Sequence, residues 1–407
     1  VTAIACRSCG ETKLSEVLDL GVMPLADRLV PADERDAPEP RYPLAVVFCP
    51  TCGLMQLTHT VPAEELFCQD YPYYSSFSPQ LLEHAREHAL SLADGRKLDS
   101  SSFVVELASN DGYLLRNFVE RGIRVLGIDP AQGPAAAAEQ IGVPTLCRFF
   151  TLGAARTVAE IHGRADVIIA NNVLAHVADQ RDFVAAIAAL LKPDGIASIE
   201  VPYLRDLIEK CEFDTIYHEH FCYFSVTALV HLFATAGLHL QDVRRVRIHG
   251  GSLRLQVGPE AKRSAEVDRL LAEEKEIGED GAAYFRTFAD RVLRLREALL
   301  ETLKGLRAEG RRIAAYGAAA KGATLINFVG IGPDLLDYVV DRNHHKHGKY
   351  MPGQQLPIMP AEHLAEDRPD YVLLLAWNFA DEILAQQQRY RDAGGRFILP
   401  VPEVRIV

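Results

Sequence analysis

Between residues 98 and 258, short apolar runs alternate with helical stretches, and that alternation leaves few folds open. Phe103-Val104-Val105-Glu106-Leu107 reads as a strand, Tyr113 to Arg121 as a helix and Val125-Leu126-Gly127-Ile128 as a second strand. Ala165 to Ala170 is a further strand. A helix over 180–191, the turn Lys192-Pro193-Asp194-Gly195 and a strand over Ile196 to Val201 follow it. Short apolar strands separated by helices bury both their faces in a doubly wound, largely parallel sheet. The pattern restarts late in the chain. Arg312 to Gly317 forms a strand and turn, Lys321 to Val329 a helix, and Leu336 to Val340, Tyr371 to Ala376 and Arg396 to Pro400 strands. A charged Ala/Leu/Glu/Arg-rich stretch over 260–309 lies between the two patterns.

The first 75 residues differ. Strand-like Leu44 to Phe48 and Leu54 to Leu57 lie among prolines and two cysteine pairs, Cys6-Arg7-Ser8-Cys9 and Cys49-Pro50-Thr51-Cys52, and Leu81 to Ala93 reads as a helix leading out. So small a unit needs a staple, and two CxxC pairs supply four thiolates for tetrahedral Zn²⁺. Gly10 and Gly53 follow the pairs and permit the turn that aims backbone N–H groups at sulfur. Two disulfides are the alternative, disfavoured in a reducing compartment. Four protein ligands leave no open position, so Cys6, Cys9, Cys49 and Cys52 hold a structural ion. The other cysteines, Cys68, Cys147, Cys211 and Cys222, read as small buried hydrophobes. The expected fold class is α/β with three parts: a zinc-binding domain over 1–75, a Rossmann-like domain over 76–258, and a smaller Rossmann-like domain over 310–407 beyond a helical connector over 259–309.

A net charge of −12 argues against nucleic acid as a partner. No apolar run approaches the ~20 residues of a membrane span, and no basic-then-apolar leader opens the chain. A cytoplasmic protein without membrane association is expected.

In a doubly wound sheet, ligands bind beyond the carboxyl ends of the strands. The turn Glu106-Leu107-Ala108-Ser109-Asn110-Asp111-Gly112, running into Tyr113, has small residues for close approach, and Asn110 or Asp111 can cap the next helix. Its acidic and amide groups suit the zwitterionic methionine end of S-adenosylmethionine (SAM) and not a pyrophosphate. The G-x-G-x-x-G dinucleotide fingerprint is absent. Asp129 ends the second strand, where a carboxylate reaches ribose hydroxyls. Phe150 either stacks on adenine or packs with Phe149 in the core. Asn171 and Asn172 end the fourth strand on the same edge.

Ile216-Tyr217-His218-Glu219-His220-Phe221-Cys222-Tyr223-Phe224 concentrates chemistry. If extended, it turns His218 and His220 one way and Glu219 the other. Neutral histidine among aromatics can accept a proton. The His-Glu-His order lacks the i, i+4 spacing of a helical zinc motif. His176 lies beyond the fourth strand, where a methyl acceptor would sit, and Tyr71, Tyr73 and Tyr74 could lid the site. In the last domain, Tyr316-Gly317-Ala318-Ala319-Ala320-Lys321-Gly322 and Asp341-Arg342-Asn343-His344-His345-Lys346-His347 occupy successive sheet-edge loops. Lys321 at a helix N-terminus, with Asn343 and Lys346, suits a diphosphate.

Taken together, these motifs resemble the SAM-dependent C-methyltransferases of deoxysugar biosynthesis, which act on TDP-linked 4-keto-6-deoxysugars. The resemblance rests on the paired CxxC region, Glu106 to Tyr113, Tyr217 to His220, His249-Gly250-Gly251-Ser252-Leu253-Arg254, Tyr316 to Gly322 and the segment from Asp341 to Met351-Pro352-Gly353. It implies SAM and structural zinc, and an active site between the middle and last domains. It further implies that His220 removes the C3 proton, that Tyr217, Glu219, His176 and Tyr71 bind or polarise the sugar carbonyl, and that the last domain holds the nucleotide. His249 and Tyr74 join the substrate-binding set. A monomer or weak dimer is expected. Alternatives are an O- or N-methyltransferase of another small molecule, an enzyme with added ketoreductase activity, and a non-catalytic zinc-ribbon adaptor.

Overall fold

A computed structural model describes residues 4–67, 74–246, 250–278 and 281–407. Cys68, Tyr71, Tyr73 and His249 lie outside the described residues.

The first part is a small antiparallel sheet of β1 (Ser15–Pro24), β2 (Arg41–Phe48) and β3 (Met55–Leu57). The middle part supplies β4 (Phe103–Leu107), β5 (Arg124–Asp129), β6 (Thr145–Cys147), β7 (Ala165–Asn171) and β8 (Leu191–Pro202). Next come β9 (Cys222–Tyr223), β10 (His239–Val246) and β11 (Ser252–Gly258). Seven of these strands form one sheet in the order β10-β11-β8-β7-β4-β5-β6. From β8 across to β6 every pairing is parallel, while β11 and β10 add as antiparallel edge strands. All five residues of β4 are buried, as a strand covered on both faces requires. Chain order reverses at β4, which lies between β7 and β5, and that is where such a sheet opens a ligand crevice.

The last part holds β12 (Ile313–Tyr316), β13 (Val339–Asp341), β14 (Ile358–Pro360), β15 (Tyr371–Leu374), β16 (Arg396–Leu399) and β17 (Arg405–Ile406), ordered β14-β13-β12-β15-β16-β17. All but β17 run parallel. The 260–309 stretch is two helices, Ala265–Glu276 and Ala282–Ala308, rather than one.

Several local expectations are corrected. The helix expected over 113–121 shrinks to Arg116–Val119. Residues 192–195 are not a separate turn but a bulge within β8, where pairing with β7 jumps from Ala165↔Leu191 to Val167↔Ile196. Cys211 and Cys222 are buried as expected, but Cys147 is exposed.

The three parts interlock around one segment. Strand β9, just after His220, joins the first sheet through Met55↔Tyr223 and Gln56↔Cys222. Leu57 N–H also donates to the Phe221 carbonyl (2.9 Å). Tyr350 of the last part bridges Val30 of the first, and Gly353 N–H donates to Glu39. Among the described residues no helix is long and apolar enough to cross a membrane.

Candidate active site

The four thiols of Cys6, Cys9, Cys49 and Cys52 lie within 4.8 Å of one another. Cys6 Sγ is 3.5 Å from Cys52 Sγ, and Cys9 Sγ is 3.5 Å from Cys49 Sγ. A disulfide needs ~2.05 Å. A tetrahedron with Zn–S bonds of ~2.3 Å separates its sulfurs by ~3.8 Å, so the donor set fits zinc. Gly10 and Gly53 adopt φ of +81° and +79°, the left-handed turn expected of them. Arg7, inside the first pair, donates to Ala178 O (3.0 Å) and stacks over Phe221. The metal-binding end therefore touches the middle part beside His220.

In the turn after β4, Ala108 and Asn110 both take φ of +50° and Gly112 +77°. A left-handed alanine costs about 1 kcal/mol, and Ala108 is exposed among buried neighbours, as a wall of a ligand crevice would be. Glu106 is buried with Oε2 unpartnered, and Ser109 Oγ, Asp111 Oδ1 and Asn171 Oδ1 are equally orphaned. Burial, then the charges of Asp129 and Asp111, pushes the Glu106 carboxyl well above its ordinary range. Orphaned acceptors call for a donor, and the ammonium and hydroxyl groups of SAM fit them. Asp129 accepts Asn110 N–H and Ala131 N–H, both at 2.8 Å, leaving each oxygen a further lone pair. Asn110 and Asp111 do not cap the following helix. Their carboxamide and carboxylate accept the N–H groups of Ser75 (2.8 Å) and Ser76 (3.1 Å), so they fasten the segment that follows Tyr74 over the turn. Tyr74 packs on Gly133, where an added Cβ would come within 2.7 Å of the phenol oxygen. Tyr113 is buried, and Asn172 takes φ of +54°. Phe150 meets Phe183 edge-to-face, ring centres 5.5 Å apart.

The Tyr217–His220 segment is a turn closed by His220 N–H to Tyr217 O (2.9 Å), not an extended run. His218 and His220 therefore do not share a face. His218 faces the first sheet, its Nε2 3.3 Å from Tyr42 O. His220 faces inward with its ring centre 4.8 Å from that of His176 and 4.1 Å from that of Tyr217. Its Nδ1 lies 2.8 Å from the Thr215 carbonyl, which can only accept, so Nδ1 carries the hydrogen. Nε2 is then the lone-pair nitrogen, and Tyr217 OH donates to it at 2.9 Å. Burial depresses His176 to a pKa of about 4, keeping it neutral, and its Nδ1 is unpartnered. Glu219 is buried, and burial first, then the charge of Asp27, pushes its carboxyl well above the ordinary range.

The basic groups of the last part are placed differently from a simple anion cradle. Lys321 is turned inward, its Nζ 4.4 Å from the Trp377 ring centre and near Asp214 and Glu212 of the middle part. Lys346 Nζ donates to Ala318 O (2.6 Å), and Asn343 Oδ1 caps His345 N–H (3.0 Å). Phe77, beyond Tyr74, faces His345 across 6.1 Å.

Sequence reading missed the buried network behind β7. Asn171 Nδ2 donates to His88 Nδ1 (3.2 Å), so His88 Nε2–H donates to Ser198 Oγ (2.8 Å). Glu200 pairs with His84 and Arg254. The i, i+4 spacing of His84 and His88 on one helix was its only signal. Burial first, then Arg254, holds His88 to a pKa of about 3. Burial opposes ionisation of Glu200, but His84 and Arg254 prevail and lower it to about 2. The unfolded histidines titrate near 6.5, so below that pH the unfolded chain binds more protons and stability falls as pH drops towards 4 and then 3. The Glu200 contribution is present above 4.5 and lost as pH falls towards 2. Thermal melts should therefore decline from pH 6.5 downwards, and His88→Gln should flatten the 6.5-to-4 limb. A melting temperature constant across that limb would contradict the burial of neutral histidines.

Comparison with known proteins extends over the whole chain. The zinc binding domain family matches residues 6–67, the methyltransferase domain family 78–243 and the C-methyltransferase C-terminal domain family 247–402. C-methyltransferase NovU of Streptomyces niveus is 38% identical over 407 residues, covering 99% of this chain and 96% of the relative. A ubiquinone biosynthesis O-methyltransferase of Methylobacterium sp. (strain 4-46) is 33% identical over 97 residues, 23% of this chain and 38% of that protein. Magnesium protoporphyrin IX methyltransferase from Synechocystis PCC 6803, solved with bound SAM, is 14% identical with a TM-score of 0.32, covering 44% of this chain and 78% of that one. Because the likeness to NovU continues through the zinc-binding and C-terminal parts as well as the SAM sheet, the chain belongs to the C-methyltransferase family and is a SAM-dependent enzyme with a four-cysteine zinc-binding site.

Proposed function

We propose that this enzyme methylates C3 of a TDP-linked 4-keto-6-deoxysugar, with His220 as the base. The observation that carries the reading is the hydrogen bond from His220 Nδ1 to the Thr215 carbonyl, which makes Nε2, the nitrogen facing Tyr217 OH, the one that carries the ring's lone pair. Nε2 takes the C3 proton, the C–H electron pair moves into the C3–C4 bond, and negative charge develops on the C4 oxygen. SAM would supply the methyl group as a sulfonium electrophile: the C3–CH₃ bond would form as the S–CH₃ bond breaks, releasing S-adenosylhomocysteine and re-forming the ketone, with the C3 proton left on His220. A proton next to a ketone is acidic enough for histidine only when donors stabilise the enolate oxygen; neutral His176 is placed to be one, and Tyr217 can turn its hydroxyl to the oxygen once Nε2 has taken the proton. Glu106, Ala108, Asn110, Gly112, Tyr113, Asp129, Phe150, Asn171 and Asn172 are assigned to the cofactor. Tyr74, Asn343 and Lys346 are assigned to the nucleotide side of the substrate, with the inward-turned Lys321 at the seam behind them. Tyr71 and His249 are assigned from the resemblance alone.

Incubating the protein with a TDP-4-keto-6-deoxysugar in D₂O tests this directly. Without SAM, deuterium should enter at C3, and with SAM a C3-methyl product should form. Failure of C–C methylation across a panel of ketosugars would sink the substrate class, and transfer to oxygen or nitrogen instead would favour the simpler rival chemistry.

A further inference from the structure

The carbonyl that selects the His220 tautomer belongs to Thr215, the last residue of a single 3₁₀ turn, Phe213–Thr215. So short a turn has little hydrogen bonding of its own: Thr215 N–H returns to Glu212 O (3.1 Å) and Ile216 N–H to Phe213 O (3.0 Å). Its first two side chains reach across to the last part. The Phe213 ring packs on Phe328 of the helix Ala320–Val329, ring centres 5.3 Å apart. Asp214 Oδ2 accepts the indole N–H of Trp377, just beyond β15, at 2.6 Å. We propose that Trp377 and Asp214 are positioning residues for the base: through their hydrogen bond the last part holds this turn so that the Thr215 carbonyl meets His220 Nδ1. The proposal rests on the reading above for the catalytic role of His220, and not for the geometry.

The choice of tautomer depends on that one carbonyl. Tyr217 OH can donate to a bare Nε2 or accept from a protonated one, so it fits either tautomer of His220. A carbonyl can only accept, so Thr215 O fixes the hydrogen on Nδ1 as long as it stays in place. The Thr215 hydroxyl is spent on Glu212 O (2.7 Å) and gives the carbonyl no support on the His220 side. Asp214 is the preceding residue, so a rotation of its backbone swings the Thr215 peptide with it. Its side chain is fully buried, and a buried carboxylate persists only with hydrogen bonds and opposite charge around it. Trp377 supplies a charge-assisted hydrogen bond, the stronger kind. Lys321 lies with Nζ 4.4 Å from the indole ring centre, and its charge acts on Asp214 as well. Asp214 Oδ1 has no hydrogen-bond partner among the described residues, so no second side chain shares the connection. Phenylalanine at 377 would keep a ring for Lys321 to face and remove the N–H alone.

Nuclear magnetic resonance on the ligand-free protein tests this without any substrate, at about pH 8, above the value of about 6 to which burial raises Asp214. Trp377 is the chain's single tryptophan, so its indole N–H gives one signal, which should exchange slowly with solvent. Nitrogen-15 shifts of the His220 ring, assigned by their loss in His220→Ala, should show the Nδ1–H tautomer. In Trp377→Phe an Nε2–H population of His220 should appear, and C3 deuterium exchange should fall about fivefold, the order of one lost hydrogen bond. A merely structural seam would lower the melting temperature and leave the tautomer of the folded molecules unchanged. Asp214→Ala removes the acceptor instead, leaves no buried carboxylate unpaired and should produce the same change of tautomer, so it carries the test if Trp377→Phe does not fold. SAM binding, measured in parallel, verifies folding. A rapidly exchanging indole N–H, an Nε2–H tautomer in the native protein, or an unchanged tautomer in either folded variant would each overturn the proposal. If neither variant folds, the two native signals decide. A failed methylation assay would leave these spectra as they are, so the two failures are distinguishable.

Discussion

Replacing His220 by alanine is expected to lower C3 hydrogen exchange by about a thousandfold, within the ~10²- to 10⁴-fold range that a positioned general base contributes. Exchange without SAM isolates proton removal from methyl transfer, so it reads the base alone. SAM affinity should be unchanged, since the turn proposed for the cofactor follows β4 and faces the end of β5, while His220 belongs to the turn before β9. The alanine leaves the Thr215 carbonyl without its hydrogen bond, a loss of about 1 kcal/mol that a melting curve detects. Tyr217→Phe should cost less, because it removes a donor to Nε2 and leaves the base in place. Full exchange in folded His220→Ala would show that another group is the base.

Zinc removal is expected to produce the second large effect, and on the same reaction. The metal is far from catalytic in its donor set, because four thiolates fill a tetrahedron. Its influence runs through β3, which begins just after Cys52 and pairs directly with β9. Arg7 adds a second connection, from inside the first CxxC pair to Ala178 and Phe221. Structural zinc contributes on the order of 10 kcal/mol to small metal-folded units. Chelation, or Cys49→Ser, should therefore loosen the first sheet, lower thermal stability and reduce C3 exchange at least tenfold, while SAM binding persists. Metal analysis should return one zinc per chain in the native protein. An apo protein with native melting and full exchange would disprove the link from metal to catalytic turn.

Much of this architecture was legible without coordinates. Apolar runs such as Phe103 to Leu107 are buried on both faces, and a strand of that kind announces itself by composition alone. The zinc ligands were equally legible, since each CxxC pair is a local turn with its own glycine. Long-range pairings were not. His218 and His220 were expected on one face because an extended backbone alternates its side chains; a closed turn sends one to Tyr42 and the other to His176. Lys321 looked like an anion ligand at a helix start, but the neighbouring part supplies Asp214 and Glu212 to meet it.

The sequence by itself determined the strand-and-helix alternation and the two cysteine pairs of the metal site, because each depends on residues close together in the chain. Only the tertiary structure decided which nitrogen of His220 is basic, since that depends on the carbonyl of Thr215 and the hydroxyl of Tyr217 meeting it in space. It alone set the rings of His176 and His220 against each other. Local propensity and periodicity act over a few residues; the protonation of a buried group depends on every charge and dipole packed around it, wherever in the chain those arise.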